Sequence, residues 1–331
     1  MAEKPLTTLT YKEKNGTWFE SKSGMAGTQK AERRARLRAA PEATLVDERP
    51  SSLRHVREAW RERRLVPALS VRVITRVFAG AKLGRTWLFI RPLMDTFGKA
   101  LIYGGVLGAP SAGAVPYVIF LIVGMAGWML FQRSLMFATR SLTFYRRLIK
   151  DFNFPMLLVP VASSGLAVIE FFIYVGILAC TVGYYYWADG VMYLNLGLSA
   201  GLGFVGLAGC LAFSWALGTW LAVLNAFAQD VRMTLRYVVG FWLYLTPIIY
   251  PLEAIPPQYQ TLASLNPMTP WIEMVKLGFL GEGDPRFLPL VSSVCVLLVV
   301  GISGIWYFNK NAERASQAEE ELVGMTEEEE M

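Results

Sequence analysis

Histidine is nearly absent from this sequence, and its carboxylates gather mainly near the C-terminal end rather than with histidine or among the apolar segments. His55 is the only histidine among 331 residues, and Asp151 and Asp230 stand apart from other acidic residues. Metal binding and acid–base catalysis both need several such groups close together. The sequence therefore contains no catalytic or metal-binding constellation, and we expect neither a metal nor a cofactor in this chain.

Cysteine is scarce, and a nucleotide-binding loop is missing. Cys180, Cys210 and Cys295 lie in apolar segments without metal-ligand spacing, so we expect them to be small buried packing residues. The phosphate-binding motif G-x-x-x-x-G-K-[ST] does not occur, because the one Gly-Lys pair, at residues 98 and 99, is followed by alanine. The sequence therefore predicts that this chain is not an ATPase.

Apolar side chains are what the sequence has in excess. Hydrophobic residues make up 54% and charged residues only 18% of the chain, which is too apolar for a soluble domain to cover with polar surface. Twenty of the 32 lysines and arginines lie at or before Arg91, whereas acidic residues gather at 319–321 and 327–330. The net charge of +6 therefore fits the positive-inside bias of a membrane protein better than it fits nucleic-acid binding.

Six segments are long and apolar enough to cross a bilayer, whose core needs about 20 residues per helix. They lie at residues 87–108, 115–138, 156–187, 194–226, 234–250 and 287–308. The first is the weakest, because Arg91, Asp95 and Lys99 interrupt it and each charge costs about 2.5 to 3.5 kcal/mol at mid-membrane. Asp95 and Lys99 are four residues apart, so they share a helix face and can form an ion pair.

The charges also predict the orientation and the ends of the chain. Residues 1–65 form a cytoplasmic, largely disordered arm with a charged helix, and residues 66–86 form an interfacial amphipathic helix of apolar and basic faces. Six spans through 87–310, followed by an acidic cytoplasmic tail at 311–331, place both termini on the cation-rich side. Omitting the first span would put the arginine-rich arm outside, against the positive-inside rule.

The segment between the fifth and sixth spans, residues 251–286, combines prolines with an amphipathic stretch and is too short to cross twice as helix. Broken backbone at membrane depth is tolerated only where neighbouring protein satisfies its polar groups. We therefore expect two short re-entrant helices. The predicted fold is an all-α membrane protein with six transmembrane helices, an N-terminal amphipathic interfacial helix and this re-entrant pair between spans five and six.

Three stretches of the chain resemble one family. They are RRLIKDFNFPMLLVPVA at 146–162, YLTPIIYPLEAIPPQYQ at 244–260 and LNPMTPWIEMVKLGFLG at 265–281. With the predicted architecture, they make residues 66–310 similar to the permeases of polysaccharide-export ABC transporters, which move O-antigen of lipopolysaccharide, teichoic acid or capsule. The resemblance implies a permease of lipid-linked polysaccharide in the cytoplasmic (inner) membrane of a bacterium. An ABC exporter of the same fold that moves lipids or drugs is the alternative.

The resemblance also implies partners. It implies a homodimer of two permeases with two ATP-binding cassette subunits, which would bind ATP and Mg and carry out the hydrolysis. The loop between the second and third spans is the candidate contact with the ATPase, although an ordinary basic loop would have the same composition. Its candidate residues are Arg146, Arg147, Leu148, Ile149, Lys150, Asp151 and Phe152.

The substrate that the resemblance implies, a sugar chain on a lipid anchor, needs cations for a pyrophosphate and aromatic faces for sugars. The candidate cations, which alternatively pair with anionic lipid, are Lys82, Arg85 and Arg91. The candidate aromatic residues, for which helix packing is the alternative, are Phe97, Tyr103, Trp128, Phe131, Phe241, Trp242, Tyr244 and Trp271. The candidate ionisable residues, for which structural pairing is the alternative, are Glu273 and Lys276 on the path and Asp95, Lys99 and Glu170 within spans.

Overall fold

The computed structural model describes residues 52–77, 84–110, 113–145, 155–228 and 230–329, and every regular element in these ranges is helical. The α-helices are α1 Ser52–Arg61, α2 Val66–Val77, α3 Trp87–Lys99, α4 Tyr117–Thr139, α5 Leu158–Ser163, α6 Gly165–Asp189, α7 Ala200–Phe227, α8 Asp230–Leu245, α9 Pro257–Leu265, α10 Thr269–Leu280 and α11 Phe287–Glu329. Helix α3 continues as a π-helical segment, Ala100–Val106. The all-α prediction is confirmed for the described residues.

Four helical stretches are long and apolar enough to cross a membrane. They are Tyr117–Thr139, Leu158–Asp189, Ala200–Phe227 and Phe287–Ala315, and they coincide with the second, third, fourth and sixth predicted spans. The first and fifth predicted spans correspond to α3, which carries three charged residues, and to α8, which has 16 residues. The structure therefore supports a multi-pass membrane protein, and the crossing of α3 and α8 remains a prediction.

Helix α4 lies at the centre of the bundle. Ile119, Phe120 and Met125 are fully buried, and so are Trp128 and Phe131 further along the helix. Helix α4 packs against α6, α7 and α10, and α7 packs in turn against α11. Because protein covers α4 on nearly all sides, its sequence is apolar all round and lacks the polar face of a surface helix.

Glycines let α7 and α10 approach closely. A Cβ atom on Gly209 would lie 2.0 Å from the ring of Trp271, and one on Gly278 would lie 2.1 Å from the backbone nitrogen of Gly203. Atoms cannot pack at such distances, so a side chain at either position would push the two helices apart. This close contact is what buries most of α10 inside the bundle.

Helices α9 and α10 form a hairpin of 9 and 12 residues. At about 1.5 Å per residue, neither is long enough to cross a core of about 30 Å. The turn is fixed to the end of α8 through Asn266, whose Nδ2 donates to Thr246 Oγ1 at 2.9 Å and whose Oδ1 accepts from Trp242 Nε1 at 2.8 Å. Two short helices are therefore present where the sequence predicted them, and their depth in a membrane remains a prediction.

Helix α2 covers the opposite end of the bundle from this hairpin. It buries Leu69 and Val73 and exposes Arg72, as expected for an amphipathic helix. Residues 78–83 of the predicted interfacial helix lie outside the described ranges. Helix α4 runs from one end to the other: Tyr117, in its first turn, donates to the carbonyl of Ile249 at 3.0 Å. We call the end of the bundle that α2 covers the α2 end, and the end that contains α9 and α10 the hairpin end.

One expectation, that all three cysteines are buried, needs correction. Cys210 is buried, but Cys180 and Cys295 are exposed, because the outward faces of α6 and α11 are as apolar as their packed faces. Helix α11 continues unbroken through residues 311–329 of the predicted acidic tail, and the cytoplasmic position of that tail remains a prediction. This part of the chain contains no proline and is rich in alanine and glutamate, which favour helix.

Candidate functional site

The most deeply buried ion pair of the described residues belongs to α10. The side chains of Lys276 and Glu273 are 1% and 2% exposed, and Lys276 Nζ lies 3.1 Å from Glu273 Oε1. Lys276 also donates to the carbonyl of Pro247 and lies 4.3 Å from the ring centre of Phe120. Glu273 Oε2 accepts from the backbone nitrogen of Asp284 at 3.0 Å. Both charges are therefore compensated within the protein, as a buried ion pair requires.

Lys276 also provides a hydrogen-bond donor for the backbone just after α8 ends. The carbonyl of Pro247 follows the last turn of that helix, where intrahelical hydrogen bonding ends. A buried backbone carbonyl without a partner costs several kcal/mol, so Lys276 stabilises both the end of α8 and the Glu273 carboxylate. The pair lies beside a cavity of about 340 Å³, whose other charged lining residues are Glu253 and Glu282.

A second ion pair joins α4 to α6. Arg133 donates through Nε and Nη2 to the two carboxylate oxygens of Glu170, in the forked geometry that suits guanidinium. The guanidinium also lies 5.3 Å from the ring centre of Phe137. The side chains are 27% and 9% exposed, so this pair lies at the edge of the packed interior. Glu170 was a sequence candidate, whereas Arg133 was missed.

Further polar groups lie next to this pair, on α3 and α6. Lys99 and Asp95 form the ion pair that their spacing predicted. Tyr174 of α6 is buried and lies within electrostatic reach of Asp95, Glu170 and Arg133. Asp95 Oδ2 is buried and has no hydrogen-bond partner among the described residues. Charged and polar side chains thus concentrate where α3, α4 and α6 meet.

One group of the predicted aromatic residues is packed inside the bundle. Trp128, Phe131 and Trp242 pack together with Phe213, with ring centres 5.2 to 6.3 Å apart in tilted and edge-to-face arrangements. Trp271 is also buried, with its ring against Gly209 of α7. Within this chain these rings contact one another, so helix packing accounts for their positions.

The other group lies on uncovered faces of α3 and α8. Phe97 on α3, and Phe241 and Tyr244 on α8, are between 47% and 65% exposed. Tyr103 is partly buried and lies within hydrogen-bonding reach of Tyr244, which brings the π-helical segment close to α8. Aromatic residues on two neighbouring uncovered faces provide a surface on which sugar rings or a second copy can pack.

Cations gather at the α2 end, as the positive-inside pattern predicted. Arg140 follows the last residue of α4, and its guanidinium lies 4.8 Å from the ring centre of Phe144. Burial lowers the pKa of Arg140, and so do the nearby charges of Arg232 and Arg236 on α8. An arginine pKa starts far above neutral pH, so the three residues form a positively charged cluster.

Part of the predicted site lies outside the described residues. This applies to the whole candidate ATPase contact, residues 146–152, to Lys82, and to the side chain of Arg85. Arg91 is described and is exposed, with its guanidinium 5.6 Å from the ring centre of Trp87. The flanks of the candidate contact are described on both sides, up to Tyr145 and from Pro155.

Comparisons with known proteins find similar permeases of polysaccharide export. The chain is 24% identical over 253 residues to the O-antigen export system permease protein RfbA of Myxococcus xanthus, which covers 75% of this chain and 92% of that protein. It is 23% identical over 245 residues to RfbA of Klebsiella pneumoniae, also an O-antigen export system permease, covering 70% and 86%. It is 22% identical over 270 residues to the capsule polysaccharide export inner-membrane protein CtrC of Neisseria meningitidis serogroup B, covering 76% and 94%.

A family model matches the larger part of the chain. The match to the ABC-2 type transporter family covers residues 64–280, which include α2, the Arg133–Glu170 pair, the hairpin and the Glu273–Lys276 pair. Helix α1 and helix α11 lie outside the matched region. The chain belongs to the ABC-2 type transporter family.

Proposed function

We propose that this chain is the transmembrane permease subunit of an ATP-driven exporter that moves lipid-linked polysaccharide across a bacterial inner membrane. The observation that carries the proposal is the family match together with relatives named for O-antigen and capsule export. The uncovered aromatic faces of α3 and α8 support it, because sugar rings pack on aromatic side chains. Teichoic acid, the third class that the sequence suggested, is not named among these relatives.

A separate subunit supplies the energy in this proposal. The sequence has no phosphate-binding loop, so ATP and Mg bind to a partner ATPase. Residues 146–152 contact that partner, because they combine basic and apolar side chains between two spans. The cluster of Arg140, Arg232 and Arg236 lies at the same end of the bundle, which favours the cytoplasmic side for this end.

The proposed assembly is a homodimer of six-span permeases with both termini in the cytoplasm. Helices α3 and α8 are the two additional spans, and α9 and α10 dip into the membrane from the far side. Leu93, Met94 and Phe97 on α3 and Tyr237 and Phe241 on α8 are all largely exposed. An apolar surface of this kind is covered by lipid or by a partner, and a second copy would enclose the aromatic path between the two permeases.

Deletion of the gene tests the assignment to polysaccharide export. We expect loss of surface glycan and accumulation of its lipid-linked precursor, measured by immunoblotting and by mass spectrometry of membrane lipids. Affinity purification of the tagged chain should recover an ATPase with a phosphate-binding loop. Unchanged surface glycan with new sensitivity to drugs would instead assign the chain to drug export. ATP hydrolysis by the purified chain alone would contradict the proposal that a separate subunit hydrolyses ATP.

The aromatic path has a matched control within the chain. Phe97→Ala and Phe241→Ala should lower export without lowering the amount of folded protein, because both side chains lie on the proposed path. Phe172 on α6 is as exposed as Phe97, at 64% each, but it is not a residue of the proposed path, so Phe172→Ala should leave export unchanged. Equal effects of all three substitutions would contradict a path along α3 and α8.

A further inference from the structure

Helix α2 contacts both of the chain segments that flank residues 146–154. On the side before them, residues 141–145 are helical, and the hydroxyl of Tyr145 donates to the carbonyl of Leu69 at 2.9 Å. On the side after them, the hydroxyl of Ser70 lies 2.8 Å from the carbonyl of Ala162 and 2.8 Å from that of Val66 in its own helix. Two consecutive residues of α2 therefore face the two flanks.

Apolar packing surrounds these polar contacts. Leu69 and Val73 of α2 form one buried cluster with Tyr145, Val159 and Ala162. Each of the three segments thus contributes to a single small core. A buried cluster of this kind holds its members in one arrangement more firmly than any one hydrogen bond does.

Gly165 allows α2 to lie directly on the start of α6. A Cβ atom at this position would be 2.3 Å from Cβ of Ser70, so any larger residue would displace α2. The contact between α2 and the flank after residue 154 is therefore as close as the backbone permits.

Tyr145 is well suited to a fixed contact. Its side chain is 1% exposed, and burial raises the pKa of its phenol, so the hydroxyl keeps its proton at neutral pH. A buried hydroxyl of this kind must keep a partner, because water cannot replace the one it loses. The carbonyl of Leu69 is that partner.

From these contacts we infer that Tyr145 and Ser70 are positioning residues that clamp α2 to both flanks of residues 146–154, so that the three segments move as one body. The inference rests on the proposed function, in which residues 146–152 contact the ATPase. A displacement of that loop is then carried by α2 and by both flanks together. Because Arg133 and Glu170 join the two spans that continue from these flanks, α4 and α6 receive the same displacement.

The test measures export and ATP hydrolysis by the purified permease–ATPase complex in proteoliposomes. Tyr145→Phe keeps the ring and removes the hydroxyl. We expect ATP hydrolysis to change little and the amount of glycan exported per ATP to fall about fivefold, the factor that one lost hydrogen bond corresponds to. Ser70→Ala combined with Tyr145→Phe should lower the ratio further, because both flanks are released.

Tyr250→Phe is the matched control. Its hydroxyl also donates to a backbone carbonyl, that of Tyr244 at 2.7 Å, but at the hairpin end. We expect its export per ATP to equal that of the unmodified complex. A ratio that is unchanged in the double variant, or that falls equally in Tyr250→Phe, would overturn the inference.

A cross-link between α2 and the flank after residue 154 tests directly whether the two segments move together. Ser70→Cys and Ala162→Cys are introduced after Cys180, Cys210 and Cys295 have been replaced by alanine, and the two thiols are bridged with a short bifunctional reagent. We expect the bridged complex to keep export, because α2 and this flank do not separate during the cycle. If bridging abolished export and cleavage of a cleavable bridge restored it, the inference that α2 and this flank move together would be overturned. Failure of the unmodified complex to export any glycan would overturn the proposed function instead.

Discussion

The hairpin end and the α2 end differ in how far their charged side chains are buried and paired. At the hairpin end, Lys276 and Glu273 are almost completely buried, and carbonyl, amide and aromatic partners surround them. Towards the α2 end, the side chains of Arg133 and Asp95 are 27% and 35% exposed, and one carboxylate oxygen of Asp95 has no partner within the described ranges. A fully compensated buried pair resists rearrangement, whereas partly exposed polar groups can exchange partners. The comparison indicates a rigid hairpin end and an α2 end that is able to move.

The largest expected effect comes from breaking the buried pair at the hairpin end. Lys276→Met leaves the Glu273 carboxylate buried without its cation and removes the donor to the Pro247 carbonyl. We expect a loss of about 3 to 5 kcal/mol in the free energy of unfolding, the usual cost of removing one partner of a buried pair. Thermal unfolding in detergent and the yield of monodisperse protein would measure it.

Arg286→Met is the control for that substitution. Arg286 pairs with Asp284 at 3.0 Å and donates to Gln260 Oε1 of α9 at 3.0 Å in the same region, but both charged side chains are substantially exposed. Exposed pairs contribute up to about 1 kcal/mol, so the variant should unfold close to the unmodified protein. Equal stability of Lys276→Met and Arg286→Met would show that buried charge does not hold the hairpin end together.

An intermediate effect is expected from filling the close helix contacts. In Gly278→Ala the added methyl group meets the backbone of α7, whereas in Gly165→Ala it meets Ser70 on α2, a helix at the edge of the bundle. Overpacking typically costs about 1 to 3 kcal/mol, and we expect Gly278→Ala to lie at the upper end and Gly165→Ala at the lower end. The melting temperatures of the two variants would compare the two ends directly.

Gly240→Ala is the control for the glycine series. No atom lies within 4 Å of the position that its Cβ would occupy, and the residue lies within α8. Alanine favours helix over glycine by about 1 kcal/mol, so this variant should be as stable as the unmodified protein or slightly more so. A lower melting temperature for Gly165→Ala than for Gly278→Ala would reverse the proposed order of rigidity.

The smallest effect on stability is expected at the partly exposed pair. Glu170→Gln keeps the shape of the side chain and removes the charge that faces Arg133. Polar contacts between membrane helices contribute about 0.6 kcal/mol on average and up to about 1.7 kcal/mol, so we expect a loss in that range. If the pair takes part in motion, export should fall by more than this loss of stability explains. Full export at normal expression would assign Glu170 a structural role alone.

The sequence predicted the features that depend on local pattern. Prolines around positions 247–270 break the helices, so the short pair α9 and α10 could be predicted from composition and length. Asp95 and Lys99 are four residues apart, which fixes their distance once a helix forms. In both cases the neighbours in space are also neighbours along the chain.

The sequence did not predict features that depend on which helices meet. Arg133 is a single cation within an apolar run, and its partner is 37 residues away on another helix, so no periodicity links them. Trp128 and Phe97 were equivalent candidates for the sugar path, yet one is buried and the other exposed. A helix that is apolar on all sides does not reveal which side its neighbours cover. Arg133 could have been found only by asking which residue compensates Glu170.

The last helix has a mechanical consequence outside the bundle. Because α11 continues without a break, its backbone extends 21 residues past Phe308, where the predicted sixth span ends, which corresponds to about 32 Å. A stiff rod anchored at one end magnifies a tilt at its base into a larger sweep at its tip. A small rotation of the final span changes distances inside the bundle by fractions of an ångström. A spin label attached near the end of α11 would therefore report that rotation as a larger displacement.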